Sequence, residues 1–175
     1  MPSQKMAGLM ASAIISDTVM FKSPTCTPHD KVLAERLARH AGIDCEELGK
    51  AMFSRGVSPD MPAEELVRYD MKDFHLGVHS LTISQITTVE SDPFLAKTED
   101  FVRSLEKIRK DKQYDLSLLM ITNVLKEGTE LLYAGDAEVI RSAFSVDDLK
   151  GNHVFLPQVL SRKKQIVPAL SQLWG

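Results

Sequence analysis

The pattern of apolar and polar residues divides the chain into a helical beginning and a longer part that mixes strands with helices. Before about residue 70, apolar residues recur at helical spacing between residues that suit helix caps. From Lys72 onward, alternating and continuous apolar runs of strand length appear between helical segments. The sequence therefore predicts an α/β fold with a mixed β-sheet of about five strands flanked by helices, preceded by a helical amino-terminal segment. We place the domain boundary so that residues 1–45 form the helical segment and residues 46–175 form the sheet domain.

The first predicted helix runs from Ser3 to about Ser16 and carries one apolar stripe. The stripe consists of Met6, Leu9, Met10, Ala13 and Ile14. Asp17 follows Ile14 by three residues and continues this stripe, which predicts a buried carboxylate. An isolated buried charge is costly, so the carboxylate needs a cation, a metal ion or hydrogen-bond donors. The alternative is a helix-end Asp that accepts hydrogen bonds from nearby backbone amides.

Two further helices have recognisable ends. Thr27 can cap a helix that has Pro28 at its first position and stops at Gly42. Asp44 opens a short helix that Gly56 closes. These signals predict that the amino-terminal segment is built from helices only.

The strands begin with a hairpin. Residues 72–76 and 80–84 alternate around Gly77, which is typical of two antiparallel strands joined by a tight turn. The spacing from Ile83 to Ile86 indicates a bulge near Gln85. The later predicted elements are a helix over 93–112, a strand over 116–124 covered on both faces, a strand over 130–134, a helix capped by Asp136, a strand over 153–156 and a helix over 167–174.

Three consecutive cations, Arg162, Lys163 and Lys164, lie between two apolar segments. The flanking β-branched and aliphatic residues predict a strand, in which Arg162 and Lys164 face one side and Lys163 faces the other. A planar guanidinium beside a lysine suits a phosphoryl group, because it offers two fixed donors and one mobile cation. The alternative is an edge strand whose cations block aggregation.

Composition narrows the classes of function. Apolar residues make up 43% of the chain and charged residues 26%, as in a globular protein, and the formal net charge is −3. That charge gives no reason to expect nucleic acid or membrane as a partner, so any attraction of anions is local. Cys26 and Cys45 lack zinc-site spacing, and we see neither a spanning apolar run nor a signal peptide. We therefore expect a cytoplasmic protein with reduced thiols.

Five stretches of the sequence carry a family resemblance. They are Ser12–Thr18, Phe21–Thr27, Ala41–Asp44, Tyr69–Phe74 and Ser161–Gln165. In this order they resemble the family II, manganese-dependent inorganic pyrophosphatases, which are two-domain phosphoesterases of the DHH superfamily. The resemblance covers essentially the whole chain, and its first and last motifs are the most specific.

The resemblance implies a role for four residues. Asp17 matches a metal-ligating aspartate of the family's amino-terminal domain, while Arg162, Lys163 and Lys72 match residues that contact the substrate. The family uses two Mn²⁺ or Co²⁺ ions, with Mg²⁺ accompanying the substrate. A metal-bridging hydroxide attacks pyrophosphate, and the cations stabilise charge on the phosphoryl oxygens.

The chain also departs from the family pattern. The family's Asp-His-His motif and its early His-x-x-x-Asp-x-Asp motif do not occur, and the histidines stand at unmatched positions: His29, His40, His75, His79 and His153. One carboxylate cannot hold two metal ions. We therefore expect the carboxy-terminal, substrate-binding part of a longer enzyme, which is inactive alone and binds no metal tightly. Its expected partners are pyrophosphate, the missing amino-terminal DHH domain and, through the apolar stripe, a second copy in a homodimer.

The sequence leaves two other functions open. One is a non-catalytic module that binds phosphate or polyphosphate, and the other is a DHH-type exopolyphosphatase or a related enzyme that acts on nucleotides. The cation cluster favours pyrophosphate over nucleotides, because no aromatic residue lies beside it in the sequence to stack on a base.

Overall fold

The computed structural model describes residues 2–175, which form two compact units. The amino-terminal unit ends at Gly56, and the carboxy-terminal unit spans Val57–Gly175.

The amino-terminal unit contains three helices, α1 (Gln4–Asp17), α2 (Pro28–Ala41) and α3 (Cys45–Ser54). Their predicted caps are confirmed. The Thr27 hydroxyl accepts from the backbone N–H of Asp30, and the Asp44 carboxylate accepts from two backbone N–H groups of the first turn of α3. Gly42 ends α2 with a φ of 71°, a left-handed conformation that glycine adopts without a steric cost.

The buried face of α1 is not the predicted stripe. Ala7, Ala11 and Ile15 are buried, and the two alanines pack against α2. Because alanine side chains are small, they let the two helix backbones approach closely, and this packing turns the larger side chains outward. Met6, Leu9 and Met10 are 52%, 67% and 42% exposed. A homodimer that uses this exposed stripe stays a prediction.

The carboxy-terminal unit contains a five-stranded sheet and five helices besides one π-helical turn. The elements are α4 (Ala63–Leu66), β1 (Lys72–Leu76), β2 (His79–Thr88), α5 (Asp92–Leu95), α6 (Thr98–Lys112), β3 (Leu116–Asn123), β4 (Gly128–Gly135), α7 (Ala137–Phe144), β5 (His153–Pro157), the π-helical turn (Arg162–Ile166) and α8 (Val167–Trp174). The strand order is β1-β2-β3-β4-β5, in which β2 and β3 pair in parallel and every other pair is antiparallel. The predicted α/β fold with a mixed sheet is confirmed.

A separate apolar core covers each face of the sheet. One core packs α7 and α8 against the sheet through Ile140 and Leu170. The other core packs α4 and α6 against it through Leu66, Phe101 and Leu105. All eight residues of β3 are buried, which confirms the central strand predicted from its nearly continuous apolar run.

Two predictions about element boundaries are wrong. The helix predicted over 93–112 is interrupted, because Lys97 leaves the helix and its ammonium donates to the carbonyls of Pro59 and Met61. The bulge predicted near Gln85 is absent, since β2 and β3 pair without interruption from Leu81 to Thr88 of β2. Both Ile83 and Ile86 are buried because each face of the sheet has its own core.

The segment from Ser161 to Gln165 is not a strand. Ser161 is extended, and Arg162–Ile166 forms a π-helical turn that runs directly into α8. The predicted alternation of Arg162 and Lys164 against Lys163 therefore does not apply. Among residues 2–175, no helix is both long enough and apolar enough to cross a membrane.

Candidate anion-binding site

Ser161 and Gln165 hold the cation cluster in a defined turn. The Ser161 hydroxyl accepts from the backbone N–H of Lys164, and the Gln165 side-chain oxygen accepts from the N–H groups of Leu160 and Ser161. This arrangement resembles a capping box in which the returning side chain stands one residue later than usual. The extra residue fits a π-helical turn, whose backbone bonds span one residue more than those of an α-helix.

Pro168 gives a physical reason for the wide turn. A proline has no N–H, and its ring crowds the carbonyl four residues earlier, which here belongs to Lys164. The N–H of Ile166 reaches back five residues to the carbonyl of Ser161, at 3.4 Å. Apolar neighbours suggested a strand for this segment, but the serine, the glutamine and the proline at these spacings are the signal for a helix start.

Arg162 is buried beneath the turn and binds two distant parts of the unit. Its Nη1 donates to the carbonyls of Asp70 at 2.5 Å and Ile83 at 2.8 Å, and its Nη2 donates to the Asp70 carboxylate at 2.9 Å. The residue is 7% exposed. These three bonds leave Nε and one hydrogen of Nη2 for another acceptor, because a guanidinium has five N–H donors. Arg162 is therefore fixed in place and retains some capacity to bind an oxyanion.

Lys72 shares a partner with Arg162. Its ammonium lies 3.7 Å from the Asp70 carboxylate, whose other oxygen accepts from Arg162. The strand register explains this proximity, since Lys72 pairs with Ile83 and the Ile83 carbonyl binds Arg162. The structure thus brings Lys72 and Arg162 together around one carboxylate, although 90 residues separate them in the sequence.

Lys163 and Lys164 complete the positive surface. Both are exposed on the first turn of the helix that follows Ser161. Unlike the buried Arg162, exposed lysines are mobile and can adjust to a ligand. A rigid guanidinium together with flexible ammonium groups can bind a small, densely charged anion through several charge-assisted hydrogen bonds.

Half-buried Gln85 and buried Thr122 and Thr129 form a series of hydrogen bonds that supports the segment leading into the cluster. The Gln85 amide donates to the Thr122 hydroxyl and the Leu160 carbonyl, and the Thr122 and Thr129 hydroxyls lie 2.9 Å apart. Thr129 donates in turn to the Val159 carbonyl, at 2.6 Å. Neither these hydrogen bonds nor the contacts of Asp70 were predicted from the sequence. Only the Tyr69–Phe74 motif pointed toward Asp70, and nothing in the periodicity pointed to Gln85 or Thr129.

Asp17 lies in the amino-terminal unit, whereas the cation cluster belongs to the carboxy-terminal unit. It ends α1 and is exposed, so the prediction of a buried carboxylate is wrong. The reason is the rotation of α1, which buries its alanines instead. After Asp17, the residues Val19, Met20 and Phe21 have φ values of 50°, 55° and 65°, a strained left-handed turn for residues with side chains.

The described residues do not fit a resident metal ion. Across residues 2–175, no group of three or more His, Cys, Asp or Glu side chains is arranged to hold one. Asp17 could supply one ligand, and two metal ions need ligands from several segments. No chemical step can therefore be assigned to a metal held by this chain's residues alone.

His75 and His79 belong to the hairpin and have protein partners. His75 is exposed, and its Nδ1 lies 2.9 Å from the Ser80 hydroxyl. His79 is half-buried, stacks on Trp174 and lies 3.3 Å from Asp115. Burial favours a higher pKa for the Asp115 carboxyl, but hydrogen bonds from the Ser80 N–H and from His79 outweigh burial and lower that pKa. Strand geometry does not stack residues four apart, so both histidines of the hairpin would be expected to face solvent, and only His75 is exposed.

Comparison with known proteins places the chain in a family. Residues 50–173 match the DHHA2 domain, so the chain belongs to the DHHA2 domain family. A manganese-dependent inorganic pyrophosphatase of Methanocaldococcus jannaschii is 42% identical over 172 residues, which cover 97% of this chain and 56% of that protein. A cobalt-dependent inorganic pyrophosphatase of Clostridium perfringens is 37% identical over 174 residues, covering 98% of this chain and 32% of that protein.

A solved structure supports the same relationship. The crystal structure of a Methanococcus jannaschii protein assigned to the family II inorganic pyrophosphatases matches with a TM-score of 0.88 and 40% identity. The match covers 99% of this chain and 57% of that protein. The resemblance to family II pyrophosphatases is thus confirmed, and the chain spans about half the length of such relatives or less.

Proposed function

We propose that this chain is the substrate-binding, carboxy-terminal part of a two-metal inorganic pyrophosphatase that uses Mn²⁺ or Co²⁺. The names of the related proteins support the activity and the choice of metals. In this proposal Arg162, Lys163 and Lys72 bind pyrophosphate, and Asp17 is one of several metal ligands. The remaining ligands belong to the preceding part of an amino-terminal DHH domain, and residues 1–45 form the end of that domain and the linker to the sheet domain.

One observation carries the proposal. Arg162 is held rigidly by two main-chain carbonyls, and both it and Lys72 lie against a single carboxylate. Pyrophosphate is small and densely anionic, so fixed and mobile cations at one place match its chemistry. Metals held by other residues of the whole enzyme would polarise the phosphoryl group and activate the attacking water. The part of this chain is to orient the substrate and to stabilise charge on its oxygens.

The tests below also bear on a second candidate function. A non-catalytic phosphate- or polyphosphate-binding module would use the same cations and would not need Asp17. The exopolyphosphatase alternative is less favoured, because the related proteins reported above are named as pyrophosphatases or assigned to them.

The first test is a titration of the isolated chain with pyrophosphate, followed by NMR at fixed ionic strength. Each charged hydrogen bond contributes about 1.5–3 kcal/mol, which ordering and desolvation largely offset, so we expect a Kd on the order of millimolar without metals. Amides around Arg162 and Lys72 should shift. Lys163→Gln and Lys72→Gln should each weaken binding several-fold, since each removes one cation from the site.

Lys150→Gln is the matched control, because Lys150 is an exposed lysine of the same unit outside the cluster. If this control weakened binding as much as the site variants, attraction by general surface charge would explain the data. If the amides around Arg162 and Lys72 did not move, the site would be wrong.

A further inference from the structure

We propose that Asp70 is an internal counter-ion that an incoming anion displaces, so that its carboxylate sets the affinity of the site. This inference rests on the proposed function and adds an affinity-determining residue to it. The relevant feature is a carboxylate that bridges both cations. One oxygen accepts from Arg162 Nη2 at 2.9 Å, and the other lies 3.7 Å from Lys72 Nζ.

The guanidinium does not need this carboxylate to stay in place. Both hydrogens of Arg162 Nη1 are used by main-chain carbonyls, those of Asp70 and Ile83. The Arg162 side chain is 8% exposed, whereas the Asp70 side chain is 46% exposed. The carboxylate therefore lies on the solvent side of a guanidinium that the backbone already fixes. Loss of the carboxylate would free Nη2 without loosening Arg162.

The backbone at Asp70 supports a specific role for this residue. Its φ is 46°, a left-handed conformation that is uncommon for residues with a side chain. In this conformation the carbonyl and the carboxylate of one residue both reach the same guanidinium. Asp and Asn tolerate the left-handed region better than most residues, which makes an isosteric test possible.

The carboxylate that the ligand must displace determines which class of anion can bind. A carboxylate presents two oxygens that share a negative charge, as do two oxygens of a phosphoryl group. A ligand that replaces it must offer more charge than one carboxylate, because it must compensate for breaking an existing contact. Pyrophosphate meets this condition, and a monoanion such as acetate does not.

The test compares two substitutions in the full chain, titrated with pyrophosphate by NMR at fixed ionic strength. Asp70→Asn removes the competing charge and keeps the shape, and we expect binding to become about two- to five-fold tighter, the change produced by losing one partly exposed ion pair. Asp73→Asn is the matched control. Asp73 is a partly exposed carboxylate near Asp70, but its partner is Lys112, at 2.7 Å. We expect no comparable gain from this control.

Several results would overturn the inference. Weaker binding by Asp70→Asn would make the carboxylate a positioning group, unchanged binding would show that its charge does not set the affinity, and an equal gain in Asp73→Asn would point to general charge. If Asp70→Asn does not fold, Asp70→Gly, which also accepts a left-handed backbone, gives the same comparison. If the wild-type chain binds pyrophosphate and the Asp70 variants bind it no more tightly, only this inference is refuted. The absence of binding in every variant refutes the proposed function as well.

Discussion

At the scale of single residues, Arg162 combines a structural role with the proposed binding role. Its guanidinium connects the turn after Ser161 to the Asp70 region and to the second strand of the sheet. The sequence indicated its chemistry, because an arginine beside lysines suits phosphoryl groups. It did not indicate that the guanidinium is buried, since that burial depends on carbonyls 92 and 79 residues away.

Replacement of Arg162 should therefore reduce stability as well as binding. Arg162→Ala leaves two inward-facing carbonyls without their donor, and we expect a loss of about 2–4 kcal/mol in the free energy of unfolding. Arg103→Ala is the control, because Arg103 is 76% exposed and pairs with Asp100 only at the surface of α6. It should change stability by less than about 0.5 kcal/mol. Urea denaturation measures both, and an equal effect of the two substitutions would contradict the anchoring role.

At the scale of elements, polar side chains of the sheet hold the segment that leads into the turn carrying the cations. Thr122 and Thr129 lie on neighbouring strands, and Thr129 binds the Val159 carbonyl just before Ser161. We infer that this contact positions the cation cluster.

Thr129→Val tests this positioning. It removes the hydroxyl that fixes Val159, and we expect a loss of about 1–2 kcal/mol in stability and a several-fold weaker affinity for pyrophosphate. The Thr82 hydroxyl, also buried, lies 2.9 Å from that of Ser117 on the opposite face of the sheet. Thr82→Val should lower stability similarly and leave affinity unchanged. Calorimetry measures the loss of stability, and the NMR titration measures the affinity for pyrophosphate. An equal loss of affinity in both variants would show that lower stability alone weakens binding.

Elements differ in how far the sequence could predict them. The third strand was predictable, because a strand covered on both faces is apolar at nearly every position. The helix caps were predictable since they depend on residues a few positions apart. The rotation of α1 was not, because its methionines and its alanines form two apolar faces and only packing against α2 selects one. The turn after Ser161 was wrongly predicted to be a strand, because its apolar neighbours fit a strand as well as a helix.

At the scale of the whole molecule, the chain carries the cations that we propose to bind pyrophosphate, while its described residues form no metal site. Its described residues contain no cluster able to hold a metal ion, and a two-metal mechanism needs two ions. The proposed role of each individual cation was predicted only through the family resemblance. Composition and periodicity alone reached no further than a globular α/β protein with a local positive cluster.

The isolated chain should accordingly show no pyrophosphatase activity. We expect phosphate release equal to a no-enzyme control in the presence of Mn²⁺, Co²⁺ or Mg²⁺, with protein purified free of host pyrophosphatase. Pyrophosphate binding measured on the same sample shows that the protein is folded and competent. Turnover above the control, if it disappeared in an Asp17→Asn variant, would mean that this chain assembles a metal site by itself.

The Gln165 side chain has a consequence for transplanting this segment into another protein. Its oxygen accepts from Leu160 and Ser161, and its amide donates to the Gln158 carbonyl. The loop thus carries much of its own framework within eight residues, 158–165. The outside contacts that a new host would most need to copy are the carbonyls that accept from Arg162 and the donors to the carbonyls of Val159 and Leu160. In the language of protein design, the segment is a nearly self-contained module, and its transfer depends more on Ser161 and Gln165 than on the lysines that a ligand would touch.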